Sequence, residues 1–320
     1  MLILIPGATG RMGLCLVRAA LRRGHRAATP PRCPPDIAAE LEGFVEVPDL
    51  FGGNVGAPFD RACAGGVDAV VVAWNEEPRL VLDAQLALLR AAERAGVRRF
   101  HAASWNTDWE GMPLGVIESY DAMICFARLA LLSSPVKPLY VFCGVLAMTL
   151  FGVPGAGSLE GDSHLWVREE KEGGEGKGRR VINVVGAGAT PTPFSTEDDA
   201  AEFSIALTTS EGAEKGGYFR FCSDEFSLLE LKATYERVRG EECSINHVMD
   251  VETCKGMIKK AREEAIEAGE LYKRFKGIVG LVYAVFLDEG AYNIRAVDSD
   301  RFPGVPRTKL EDYIRANEWI

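Results

Sequence analysis

Three glycines near the amino terminus have the types and spacing to hold a phosphate. Gly7, Gly10 and Gly13 stand in Pro6-Gly7-Ala8-Thr9-Gly10-Arg11-Met12-Gly13. An apolar run over residues 1–5 precedes them, and an amphipathic stretch over 14–23, closed by Gly24, follows. Strand, glycine turn and helix is the layout that a dinucleotide pyrophosphate needs. Gly7 lets the chain turn, Gly10 lets backbone approach the phosphates, and Gly13 lets the helix pack closely on the sheet. The opening helix then offers free N–H groups and a partial positive charge. The spacing is G-x-x-G-x-x-G, not the G-x-G-x-x-G fingerprint, so the flanking strand and helix carry the reading.

A second group of chemically able residues follows a later β-run. Trp105 and Trp109 bracket the loop after residues 99–104 and would stack on a flat ligand or fix that loop. His101 alternates inside the strand, which favours a structural histidine. No G-x-S-x-G nucleophile elbow occurs, and no His/Cys/Asp cluster has metal-ligand spacing.

The elements that must position these residues alternate. Strands are expected over 1–5, 26–29, 44–47, 68–73, 99–104 and 139–143, with helices over 14–23, 36–42, 59–64, 80–95 and 119–133. This pattern predicts an α/β fold with a doubly wound parallel sheet, the ligand lying at the carboxyl ends of the first, fourth and fifth strands. Residues 1–150 are expected to form one domain around the glycine turn. Residues 151–320 are expected to form a smaller α/β lobe, with elements near 181–200 returning to the first. Within the lobe, 152–180 is polar and glycine-rich and is expected to be a surface insertion. Residues 195–199 read as a helix N-cap with acids in the first turn. Residues 252–267 and 271–288 read as helices, the second apolar on most faces and so core or pocket wall.

Bulk properties narrow the partners. The 320 residues carry a net charge of −10, so no attraction to nucleic acid or anionic membrane is expected. No apolar run approaches a membrane span, and the amino terminus has no secretory pattern. The eight cysteines never form C-x-x-C and fit reduced, mostly buried thiols. A cytoplasmic location is expected.

GATGRMG at 7–13, RRFHAASWNTDW at 98–109, the helix carrying Tyr120, KPLYVFCGVL at 137–146, PFSTEDDAAEF at 193–203 and PRTKLEDY at 306–313 together resemble the NmrA-like and isoflavone-reductase-like family of atypical short-chain dehydrogenases. The Trp-Asn-Thr-Asp-Trp variant looks like fungal members, many of them in secondary metabolism. The resemblance implies a Rossmann domain binding NADP(H) and a small substrate-binding lobe closing over the nicotinamide end. Gly7, Ala8, Thr9, Gly10, Arg11, Met12 and Gly13 would cradle the pyrophosphate. Arg32 would face the 2′-phosphate, Asp49 would sit by the adenine, Ala73 and Trp74 would pass along the ribose, and Gly144 and Val145 would touch the nicotinamide. No acid ends the second strand, where one would hold the ribose hydroxyls of NAD, and a guanidinium suits a phosphate. Ser104 and Tyr120 would be catalytic, with Trp105, Asn106 and Trp109 against the substrate.

Relatives of this kind place a lysine four residues after the tyrosine, where it shares a helix face and lowers the tyrosine pKa. Ile124 stands there, and Lys137 lies past the helix. A lone tyrosine with a pKa of ~10 is a weak acid at neutral pH. Three functions stay open. One is an NADP-dependent oxidoreductase of a small aromatic or polyketide-like metabolite, its proton coming from Tyr120, Asp121, His101 or water. The second is an NADP(H)-sensing regulator with a protein partner, and the third a redox-neutral isomerase or cyclase. A homodimer is compatible with each.

Overall fold

The structure, a computed structural model, describes residues 1–28, 56–75, 77–153, 165–169, 178–292 and 294–320. At its centre is a parallel sheet of six strands: β1 (Leu2–Leu4), β2 (Arg26–Ala28), β3 (Ala69–Val71), β4 (Arg99–His101), β5 (Leu139–Phe142) and β10 (Gly217–Arg220). Their spatial order is β10-β5-β4-β3-β1-β2. The run Leu2-Ile3-Leu4 is buried throughout, as a parallel strand covered on both faces must be. Helices α1 (Arg11–Arg22), α2 (Gly56–Cys63), α3 (Arg79–Ala84 continuing through Gln85–Arg94) and α4 (Glu118–Ser133) fill the crossovers. Short α5 (Ala147–Leu150) follows β6 (Val145–Leu146). The expected strand at 44–47 and helix at 36–42 lie outside the described residues, as do Arg32 and Asp49.

Two local features hold the functional edge of this sheet. The first turn and a half of α3 is a π-helix, and there Gln85 turns inward. Its Nε2 donates to the Val81 carbonyl (3.0 Å) and its Oε1 accepts from the Ala103 amide (3.0 Å), fixing the loop that leaves β4. Strands β4 and β5 pair through only one register position, His101 with Leu139. Beyond it Ser104 takes over, its Oγ donating to the Ala102 carbonyl (3.0 Å) and accepting from the Val141 amide (2.9 Å).

The second half of the chain builds two three-stranded sheets. β11 (Asp224–Phe226), β9 (Thr192–Ser195) and β6 form one, and β12 (Cys243–Met249), β8 (Arg180–Val185) and β7 (Trp166–Arg168) the other. Within the stretch expected to be a surface insertion, the described β7 instead pairs antiparallel with β8 and buries Trp166. The segments that rejoin the central domain are α6 (Glu197–Thr209) and β10, whereas β8 stays in an outer sheet. Glu202 fastens α6 to α1, accepting from Arg22 and Arg23 at 2.7 Å each. Helix α7 (Leu228–Arg239) begins with a capping box between Ser227 and Glu230. Helix α8 (Val251–Glu267) follows. The single helix expected over 271–288 is two, α9 (Leu271–Phe275) and α10 (Val279–Glu289). The break falls at Gly277, whose amide turns back to the Arg274 carbonyl (3.0 Å). Helix α11 (Leu310–Ala316) closes the chain. Among the described residues no helix is long and apolar enough to cross a membrane.

Candidate functional site

A cavity of about 790 Å³ opens at the carboxyl edge of the central sheet. Its floor is the glycine turn. Gly7 has φ +87°, and a Cβ there would stand 2.3 Å from the Ala73 carbonyl oxygen, so only glycine fits between the turn and the neighbouring loop. At Gly13 a Cβ would come 2.1 Å from the Gly7 carbonyl oxygen, which is why the first turn of α1 packs so tightly on the strand end. Gly10 differs, for a Cβ there meets only the Gly7 oxygen at 3.2 Å and otherwise points into open space. A Cβ-free surface at the start of a helix with no acid in its first turn suits an anionic phosphate. The turn therefore fits a dinucleotide on geometry alone.

Of the residues expected to hold a nucleotide, Gly7, Thr9, Gly10, Arg11, Met12, Ala73, Trp74, Gly144 and Val145 all line this cavity. Ala8 and Gly13 sit behind it and shape the turn. Gly144 also needs its glycine, with φ +71° and the Pro193 carbonyl 2.2 Å from an added Cβ.

Ser104, Trp105, Asn106 and Tyr120 line the cavity as well, and Trp109 does not. The Trp109 ring is buried edge-on against Tyr140, Phe142 and Tyr218, with centroids 5.1 to 5.9 Å away. The loop is turned that way by Arg220 of β10. It pairs with Asp108 at 2.7 Å and with Glu110, drawing the segment down onto the sheet edge. Trp105 keeps one face on the cavity, while its Nε1 donates to Ser204 Oγ (2.8 Å) and its ring stacks on His101.

The protonic groups sort by environment. His101 is fully buried, and its Nδ1 donates to the Ala102 carbonyl (2.8 Å). Burial pushes its pKa down to about 4, so it is neutral and outside the cavity wall. Asp121 is raised by burial and accepts from the Gly115 amide, also away from the wall. The Ser104 hydroxyl is held by backbone on both sides. Tyr120 is buried in the wall and accepts a hydrogen bond from the Tyr283 hydroxyl at 3.1 Å. Ile124 packs in the core and does not reach the cavity. Lys137 Nζ donates to the carbonyls of Ser134 and Leu131 beyond α4.

Several wall residues come from far along the chain, most of them within the apolar stretch 271–288. Tyr272, Phe275, Lys276, Val279, Tyr283 and Tyr292 make the lobe side of the cavity. The apolar pattern of 271–288 pointed to a wall or core, and both uses occur. Lys276 lies 3.8 Å from Glu77 and over the Tyr272 ring (5.0 Å), joining the lobe to the nucleotide side across the opening. Glu197, at the start of α6, is nearly sealed in the wall and accepts from the Met148 amide (2.9 Å). Burial raises its pKa to about 7, against a smaller opposing pull from hydrogen bonds and Arg11. The described cysteines are all free, and burial raises Cys15 to about 12 and Cys63 to about 11, leaving them unreactive.

No family model matches the chain. It is similar to pinoresinol reductase 1 of Arabidopsis thaliana, 25% identical over 336 aligned positions that cover 98% of this chain and 96% of the relative. Among solved structures it superposes on an isoflavone reductase with TM-score 0.70 and 18% identity, covering 100% of this chain and 99% of that one. A structure described as AtPrR2 with NADP+ and (+)pinoresinol gives TM-score 0.71 and 19% identity, covering 98% and 97%.

Proposed function

From its similarity over nearly its whole length to pinoresinol reductases and to the isoflavone reductase fold, we infer that this chain belongs with the isoflavone-reductase-like and NmrA-like proteins and is an NADPH-dependent reductase of a small aromatic metabolite. The observation that carries the reading is that the phosphate cradle and a tyrosine-rich wall open into one cavity. Gly10 and the first turn of α1, with Arg11, would hold the pyrophosphate. Arg32 gives preference for the 2′-phosphate. Gly144 and Val145 would hold the nicotinamide end, and Trp105, Tyr272, Phe275 and Tyr292 would offer faces to an aromatic substrate. Residues 1–150 with α6 and β10 bind the coenzyme, and the remaining lobe binds substrate.

NADPH, when bound, supplies a hydride. The protein then has to deliver a proton to the substrate oxygen, and Tyr120 is the group placed to do it. Its partner Tyr283 donates to the Tyr120 oxygen and so stabilises the phenolate left after transfer. That hydrogen bond takes the place of the cation that Ile124 does not provide. Tyr283 is a positioning residue, because it acts through Tyr120. Lys276, drawn over the opening by Glu77, helps keep water out.

Titration of the purified protein with NADPH and NADH, with a parallel absorbance assay on aromatic ketones and enones, tests this. Arg32→Ala is expected to weaken NADPH far more than NADH, and equal loss removes the NADP assignment. Tight NADPH binding with no turnover across the panel replaces the reductase by a sensor. Product formed without coenzyme oxidation replaces it by an isomerase or cyclase.

A further inference from the structure

Most polar side-chain atoms in the cavity wall already have partners. Ser104 is held by two backbone groups, Trp105 Nε1 by Ser204, Glu197 by Met148, and Tyr120 by Tyr283. Two buried atoms on residues that line the cavity are different. Asn106 Oδ1 and Ser119 Oγ have no hydrogen-bond partner in the protein, although Ser119 is only 2% exposed. Six other buried side-chain polar atoms among the described residues are also unpartnered, and none belongs to a residue lining this cavity.

The two residues share Met123 as a neighbour. Asn106 Nδ2 reaches Met123 Sδ at 3.4 Å, and Ser119 stands one turn earlier than Met123 on the same face of α4, next to Tyr120. The direction of the amide follows from chemistry. A thioether sulfur accepts weakly and cannot donate, so the NH₂ faces Met123 and the oxygen is the atom left over. Ser119 is unpartnered for a local reason. It sits in the first turn of α4, so the carbonyl four residues back, which a helical serine would use, belongs to Gly115 outside the helix.

Leaving buried polar atoms unpaired is costly, and native folds do so mostly where something else completes them. We propose that Asn106 and Ser119 form a hydrogen-bonding subsite beside Tyr120 for a ligand group that donates and accepts at once, a hydroxyl or a primary carboxamide. An ether or bare carbonyl satisfies Ser119 alone and leaves Asn106 Oδ1 dry. A phenolic hydroxyl on an aromatic substrate and the carboxamide of nicotinamide share this chemistry. The inference rests on the reductase reading for where the ligand lies and adds what part of it is recognised.

The test uses the full chain as wild type, Ser119→Ala and Asn106→Leu. Ligand-free thermal unfolding is measured first, then calorimetric binding of NADPH. Tryptophan quenching by 4-hydroxybenzalacetone and by its 4-methoxy ether follows, at saturating NADP+. Ser119→Ala removes an unpaired atom, so its unfolding temperature is expected to equal or exceed that of wild type. If a substrate hydroxyl fills the subsite, a preference for the hydroxy over the methoxy probe of about tenfold or more disappears in both variants while NADPH binds unchanged. If the carboxamide fills it, NADPH affinity falls about tenfold or more in both variants. Unchanged binding of all three probes by both variants overturns the proposal. A fall in unfolding temperature of more than ~3 °C in Ser119→Ala does so too, since it reveals a partner within the protein. Wild-type protein that fails to bind NADPH sinks the reductase reading itself, a result none of the variants can mimic.

Discussion

Gly10→Val and Gly13→Ala separate two jobs that the glycine turn performs together. At Gly13 an added methyl lies 2.1 Å from the Gly7 oxygen and 2.6 Å from the Ala8 Cα, both backbone atoms that cannot swing aside. Relieving that overlap means moving the turn, which costs about 1–3 kcal/mol or more, partly offset by about 1 kcal/mol of helix propensity. A net loss of about 2 kcal/mol follows. At about 2.1 cal/mol/K per residue, a chain of 320 residues then unfolds about 3 °C lower. At Gly10 the same addition meets one backbone atom at 3.2 Å and otherwise projects into the cavity. Valine there loses about 1 kcal/mol as a poor helix cap, near 1.5 °C, but fills the space the phosphates need. Coenzyme affinity is expected to drop about 100-fold or more, about 2.7 kcal/mol, for NADPH and NADH alike. Scanning calorimetry of the ligand-free proteins and isothermal titration with both coenzymes read the two effects separately. Gly10→Val protein that binds NADPH within threefold of wild type would refute the assignment of this turn to the phosphates.

Other consequences follow from the tyrosine pair and from two buried titrating groups. Tyr120→Phe is expected to lower kcat by about 10² or more, and Tyr283→Phe by about tenfold with KM little changed; a Tyr283→Phe enzyme with the wild-type pH profile of kcat would remove the pair from the reaction. His101 titrates near 4 when folded and near 6.5 when unfolded, so the unfolded chain binds the extra proton between those values. Its contribution, about 3 kcal/mol, is complete above pH 6.5 and lost as pH falls to about 4, and urea unfolding of His101→Phe should lack that slope. Glu197 runs the other way: raised from 4.5 to about 7, it stabilises fully below pH 4.5 and loses that stabilisation as pH rises to about 7, a loss Glu197→Gln should abolish. The same carboxyl faces the coenzyme cavity, so NADPH binding should weaken above pH 7 in wild type and stay level in Glu197→Gln, as calorimetry at several pH values would show.

The parts of this molecule that sequence alone determined are those governed by neighbours along the chain. The turn at Gly7, Gly10 and Gly13 is legible because the spacing of the three glycines between a strand and a helix is a local pattern, with a Cβ barred outright by backbone at Gly7 and Gly13. The cap at Thr196 is legible because a side chain three residues from its amide partner is set by local spacing. The parallel strands announce themselves as buried apolar runs. Tertiary structure decided everything that depends on which distant segments meet. Trp109 and Trp105 are four residues apart and look alike in sequence, yet Arg220, more than a hundred residues later, draws one into the core and leaves the other at the cavity. Tyr120 reads as an unsupported tyrosine until Tyr283 of the lobe is folded against it. Asn106 and Ser119 stand out only among the buried polar atoms of the folded chain, for an unpaired atom is a property of the whole packed interior and of no single stretch of chain.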